Sequence, residues 1–309
     1  MTPPEPHPVP KLGFVGRVVL VVVPVTLAAF AWGTPARFFP EMRDGLNGSV
    51  VQVVRPPADG VRLFAQHCAQ CHGPQGEGDG VAHLTTKARY FGAEPFKFTA
   101  TTGTRIPTDA DLVATLTRGI AGSSMPSFAH LRADELAALV GHVRVLTRQG
   151  MYAQLTRKAL KDFEDGGDEV DPVKVTAKAD AQVHVGTSLP LPAAFKPTSP
   201  QSVAAGKVVF AGSCASCHGP AGRGDGPQTV DPKFVNDNGT KAVPRNLTAG
   251  VYKGGGEKAN LYARLMIGIP GTPMPAGTTL TPEQLDDLLN YVLSMSPKPV
   301  TNVVTSEMK

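Results

Sequence analysis

Two short stretches of this chain carry chemistry in their spacing: Cys68-Ala-Gln-Cys71-His72 and Cys214-Ala-Ser-Cys217-His218. Between them they use all four cysteines of the chain. Cys-x-x-Cys-His is the attachment pattern of c-type haem. Each thiol can add to one vinyl group of the macrocycle, and the histidine that follows reaches the iron from one side. Structural zinc or a redox-active dithiol would also use paired cysteines. Neither accounts for the adjoining histidines or for the repeated residues downstream. The pattern predicts two covalently bound haem c groups. Cys68, Cys71, Cys214 and Cys217 are the expected thioether residues, and His72 and His218 are expected axial ligands of iron.

The surroundings of the two motifs repeat as well. Gly60-Val-Arg-Leu-Phe64 precedes the first motif at the offset at which Gly206-Lys-Val-Val-Phe210 precedes the second. After the histidines come Gly73-Pro-Gln-Gly-Glu-Gly-Asp-Gly80 and Gly219-Pro-Ala-Gly-Arg-Gly-Asp-Gly226. Further on, Leu116 to Pro126 matches Leu265 to Pro275, and Asp134 to Leu146 matches Glu283 to Met295. Four blocks in one order describe two copies of a domain. In each copy a short helix (about 59–69 and 202–214) runs into the motif, and a glycine-rich loop follows that cannot sustain helix. A second helix lies near 109–118 and 257–267, with Thr108 placed to cap the first of these. Then comes a Met-Pro loop. A terminal helix closes each copy, with Leu136, Leu139, Val140 and Val143 on one face in the first and Leu285, Leu288, Leu289 and Val292 in the second. Thr281 followed by Pro282 is a favourable helix start. The two Gly-x-Gly-Asp-Gly loops lack the Lys-Ser/Thr and the preceding strand of a phosphate cradle. They read instead as loops passing close beneath the haem. Strand patterns are scarce.

An iron held by one histidine needs a second ligand or an open position. Met125 and Met274 each precede proline in a loop rich in Gly, Ser and Thr. Phenylalanine four residues before the first cysteine, Cys-x-x-Cys-His, the Met-Pro loop and the closing helix together resemble the class I cytochrome c family, over residues of about 57–148 and 200–297. The resemblance implies a mainly α fold: two tandem cytochrome c domains, each a small helical fold around a covalent haem. It implies that Met125 and Met274 are the distal iron ligands. It also implies that the first and last helices of each domain cross at Gly60 and Gly206, against His142 and Tyr291; histidine at that place is a departure. His67, His83 and His130 are rival ligands in the first domain and Met266 in the second. Arg105 and Arg245 are candidate partners of the haem propionates.

Residues 1–11, with five prolines in the first ten, read as a disordered cytoplasmic tail. Residues 12–33 read as a transmembrane anchor: Leu12 to Trp32 is apolar apart from Arg17, which can snorkel to the interface. A cleaved signal peptide is the alternative, since Ala29-Phe30-Ala31 fits a processing site. Domain 1 then spans 57–148, a connector 149–200, domain 2 201–298 and a tail 299–309. Fifty residues is long for a pure linker, which predicts that the connector packs against the domains. A net charge of +4, without a long Lys/Arg run, argues against nucleic acid.

Thioether ligation favours Fe(II), so His/Met irons have raised potentials. With both axial positions filled the expected role is one-electron transfer, with no catalytic residues. The expected protein is a single-pass dihaem cytochrome c of a bacterial inner membrane, its haem domains in the periplasm. It would relay electrons in a respiratory or photosynthetic chain between a donor and an acceptor such as a quinol-oxidising complex, an oxidase or a reductase, as a free carrier or as a subunit. A dihaem cytochrome c peroxidase is the enzymatic alternative and needs one open iron. A haem sensor is a third reading.

Overall fold

The structure, a computed structural model, describes residues 58–82, 84, 87–104 and 106–296. The expected anchor at 12–33, the tails at 1–11 and 299–309, His83 and Arg105 lie outside the described residues. No described helix is long and apolar enough to cross a membrane.

Domain 1 begins with α1 (Ala58–His67), which passes through Cys68 into the single turn α2 (Ala69–His72). Next come β1 (Thr101–Thr102), α3 (Asp109–Arg118) and the terminal helix α4 (Ala133–Glu164). The Thr108 side chain accepts a hydrogen bond from Asp111 N and so caps α3. Domain 2 repeats the order as α6 (Pro200–Ser213), α7 (Ala215–His218), α8 (Lys258–Ile267) and α9 (Pro282–Ser294). In α9, proline fills the first helical position and Thr281 forms a capping box with Gln284. The described residues are thus mainly helical, with one two-residue strand pair.

In each domain the first helix crosses the last at a glycine. A Cβ on Gly60 would lie 2.3 Å from Ala138 O, and one on Gly206 within van der Waals overlap of Asp287 O. Backbones this close leave no room for a methyl group. Phe64 and Phe210, one turn further on, are each 2% exposed and pack edge-on against His142 (4.9 Å) and Tyr291 (5.4 Å). His142 therefore fills the aromatic place in domain 1, and burial pushes its imidazole pKa below the usual value, which keeps it neutral. Leu136, Leu139, Val140 and Val143 form the core of domain 1 with Phe64, while Leu288, Leu289 and Val292 surround Phe210 in domain 2.

The connector is built onto both domains. Helix α4 continues without a break well past domain 1, to Glu164. Gly150 permits this by letting the helix press against the backbone of Gly92, where a Cβ would lie 2.8 Å from Gly92 Cα. Helix α5 (Pro172–Gln182) folds back on α4 through buried Val175 and Ala179, with Arg148 paired to Asp180 at 2.7 Å. Strand β2 (Thr187–Ser188) pairs antiparallel with β1, Thr101 opposite Ser188. A few residues later the chain reaches domain 2. Lys196 Nζ donates to Asp287 Oδ1 at 2.8 Å, and Thr198 Oγ1 to Asn290 Oδ1 at 2.9 Å. Asn290 and Ser202 are almost completely buried, and Asn290 Nδ2 donates to Ser202 Oγ at 2.8 Å. This satisfied polar network pins the connector to the crossing of α6 and α9.

The crossing makes a quantitative demand. Gly206→Ala is expected to cost about 1–3 kcal/mol, the usual penalty for forcing a methyl group into close-packed structure. Chemical denaturation should place its midpoint well below that of the wild type; an unchanged midpoint would mean that the helices can separate freely.

Candidate functional site

Each Cys-x-x-Cys-His segment folds as the turn that ends a helix. His72 N donates to Cys68 O at 2.9 Å and His218 N to Cys214 O at 2.9 Å. This turn brings both cysteines and the histidine of each motif together. Burial, followed by the neighbouring Cys71, pushes the Cys68 thiol up to about 11, and burial with Cys217 does the same to Cys214. Among the described residues no group of three or more His, Cys, Asp or Glu is placed to hold a metal ion.

The histidines are oriented through their second nitrogen. His72 Nδ1 lies 3.3 Å from Arg89 O, and His218 Nδ1 lies 3.2 Å from Arg245 O. A carbonyl can only accept, so Nδ1 carries the proton and Nε2 keeps its lone pair, as an iron ligand requires. Burial lowers the pKa of both rings, which holds them neutral. Phe91 stacks on His72 at 4.8 Å and fixes the ring plane.

The glycine-rich loops pack on this turn. A Cβ on Gly80 would lie 2.3 Å from Gln70 O, and one on Gly226 2.4 Å from Ser216 O. At these two positions the backbone of the Cys-x-x-Cys-His turn leaves no room for a side chain. The loop wraps that turn and returns the chain to Arg89 or Arg245, whose carbonyl meets the histidine.

The Met-Pro loops are built alike. In domain 1 Ile120 N donates to Met125 O at 3.1 Å, and Met125 N donates to Ser123 Oγ at 3.2 Å. In domain 2 Ile269 N donates to Met274 O at 3.1 Å, and Met274 N donates to Thr272 Oγ1 at 3.3 Å. Both methionines are half-buried, and Met125 packs against the core that holds Phe64 and Phe91. Among the rivals, His130 is exposed, 6.1 Å from the ring of His67, and Met266 sits half-buried within α8.

Three buried guanidinium nitrogens, Arg89 Nη1, Arg118 Nε and Arg264 Nε, have no hydrogen-bond partner in the protein. Sequence reasoning passed over all three arginines. Isolated arginines carry no pattern, and only Arg105 and Arg245, near the loops, had a visible signal. Buried cations of this kind call for an acceptor such as a carboxylate. Together with the free Nε2 positions and the paired cysteines beside them, the residues fit haem, which brings both apolar surface and propionates.

Fold and geometry define a class, the helical carriers of c-type haem. Comparison with known proteins agrees. Residues 203–296 match the family model of cytochrome c, and residues 55–143 match that of cytochrome c oxidase, cbb3-type, subunit III. The chain is a c-type cytochrome with two tandem domains, an organisation that implies haem c binding and electron transfer. No curated protein matches it. Among solved structures it is similar to a chain of the reducing HAO-like protein complex of Kuenenia stuttgartiensis. The identity is 26% and the TM-score 0.62, covering 79% of this chain and 98% of that one.

The loop bonds give a direct test. Thr272→Val removes the acceptor of Met274 N, at an expected cost of about 0.5–1.5 kcal/mol. Hydrogen exchange at the Met274 amide should then accelerate by about threefold to tenfold; unchanged exchange would place the loop's rigidity elsewhere.

Proposed function

We propose that this chain is a membrane-anchored dihaem cytochrome c that relays single electrons between redox proteins on the outer side of the membrane. The observation that carries the reading is the matched geometry of the two domains. Each has a neutral histidine with Nδ1 bonded to a carbonyl and Nε2 free. Each also has a methionine fixed by two hydrogen bonds in a half-buried loop. When bound, haem c supplies an iron that cycles between Fe(III) and Fe(II) by one electron.

The residues have distinct tasks. Cys68 and Cys71, and Cys214 and Cys217, tether the two haems as thioethers. His72 and His218 would each supply one ligand to an iron, and Met125 and Met274 a second. Soft thioether ligands favour Fe(II) and raise the potential relative to two histidines. Filled axial positions exclude small ligands, so the chain moves electrons and performs no chemistry on a substrate. The apolar run Leu12 to Trp32 supports the anchor, and with it a site outside a bacterial inner membrane. The similarity to a chain of a reducing HAO-like protein complex supports a role as a subunit of an oxidoreductase assembly.

Two measurements test this reading. The pyridine haemochrome of protein matured with its haems should give two haems per chain, falling to one in a Cys68→Ala/Cys71→Ala variant. Met274→Ala should open one iron, so that half of the reduced haem binds carbon monoxide. A wild-type count below two, or an unaltered variant, would contradict the assignment. Separately, the protein should resist extraction of membranes by high salt and yield to detergent; release by salt alone would remove the anchor from the account.

A further inference from the structure

The two domains meet along a seam in which domain 2 lends charge to domain 1. Arg264, on α8, is 9% exposed. Its Nη1 donates to Lys97 O at 3.3 Å and its Nη2 to Thr99 O, both in domain 1. Arg245 carries the carbonyl that orients His218, yet its side chain reaches the other domain. A Cβ on Gly122, in the Met125 loop, would lie 3.0 Å from Arg245 Nη2. The contact is returned by the second Met loop, where a Cβ on Gly271 would lie 2.9 Å from Pro95 Cγ of domain 1. Each methionine loop is thus pressed against the opposite domain.

The seam is crowded with cations: Arg89, Lys97 and Arg118 from domain 1, and Arg245, Lys253 and Arg264 from domain 2. Several carboxylates lie within electrostatic reach: Glu257 and Asp111 of Arg118, Asp111 of Arg264, Glu94 of Arg89 and Lys97, and Asp237 of Lys97. Asp111 is already engaged, accepting from Ala100 N at 2.7 Å and from the Thr101 hydroxyl. Three of the guanidinium groups keep a buried nitrogen without a partner, one of them Arg264 Nε. Burial pushes the pKa of Arg89 and Arg264 down to about 10 and lowers those of Lys97, Arg118 and Lys253. Desolvated like charges held together are costly unless acceptors share the site.

We propose that this seam is a carboxylate site shared by the two domains, filled by haem propionates, in which Arg264 and Arg245 of domain 2 tune the iron of domain 1. The proposal rests on the two-haem reading above. Each reduction adds one electron, supplied by the redox partner, to Fe(III). No bond breaks, and the charge of the site falls by one. Cations fixed nearby favour that change, so domain 2 raises the potential of domain 1 through groups that never touch the iron. Arg264 and Arg245 are positioning residues by this account. Arg89 is the domain 1 counterpart of Arg245, but Arg264 has none, because Thr115 occupies the corresponding place in domain 1.

The test is a redox titration of the full-length dihaem protein, with each midpoint assigned by its displacement in a Met125→His or Met274→His variant. Arg264→Gln should weaken reduction of the domain 1 iron by about tenfold, or about 59 mV for one electron, the order expected of one partly buried charge at an effective dielectric near 20. The domain 2 midpoint should move much less. Arg264→Lys keeps the charge and loses the paired bonds to Lys97 O and Thr99 O; it should restore most of the shift. Arg245→Gln leaves the carbonyl to His218 in place and should lower the same midpoint, which keeps the test open if Arg264→Gln does not fold. Two haems with unmoved midpoints would overturn this proposal alone, as would a lysine variant shifted as far as the glutamine one. A count below two would overturn the earlier reading and this one with it.

Discussion

A histidine that is to hold iron through one nitrogen is oriented by the bond its other nitrogen makes, and both domains supply that bond in the same way. The committing partner is a backbone carbonyl, Arg89 O in one case and Arg245 O in the other. A carbonyl bond fixes the tautomer and the ring direction without adding charge. To bring that carbonyl back to a histidine many residues earlier, the chain must wrap tightly around the Cys-x-x-Cys-His turn. Glycines at 80 and 226 permit the wrap because a Cβ there would meet the backbone of the turn. The turn in turn must be held still, and the crossing of first and last helices at Gly60 and Gly206 does this from behind. Ligand orientation, loop composition and helix packing meet at this turn.

The two copies meet this constraint with different supports. Domain 1 places neutral His142 against Phe64, carries a terminal helix that runs on to Glu164, and adds α5 as an outer layer. Domain 2 places Tyr291 against Phe210 and buries the polar set Ser202, Asp287 and Asn290, which ties down the connector through Lys196 and Thr198. The connector therefore belongs to both domains and joins them as a strap.

Much of this was legible in the sequence. The two Cys-x-x-Cys-His motifs, the helix at Asp109–Arg118 with its Thr108 cap and the Met-Pro loops could be read from spacing and turn chemistry, and the glycine crossings followed from the resemblance to class I cytochrome c. The close approach of Gly80 and Gly226 to the adjacent turn could not, since it depends on how the loop wraps back in three dimensions. The length of α4 and the folding of α5 onto it depend on tertiary contacts at Gly150, Val175 and Ala179 that no local pattern encodes. Arg89, Arg118 and Arg264 were invisible for the same reason, since a buried arginine has the sequence signature of a surface one. The Leu12 to Trp32 segment lies outside the described residues and rests on composition.

The central claim is that both irons are closed by histidine and methionine, and optical spectroscopy of the purified dihaem protein tests it most directly. The account predicts that the far-red methionine-to-Fe(III) charge-transfer band of the oxidised protein has the intensity of two such centres, and that carbon monoxide leaves the reduced spectrum unchanged at neutral pH. A band of half that intensity, together with a carbon monoxide adduct at one haem, would contradict it and point to an open, peroxidase-like iron.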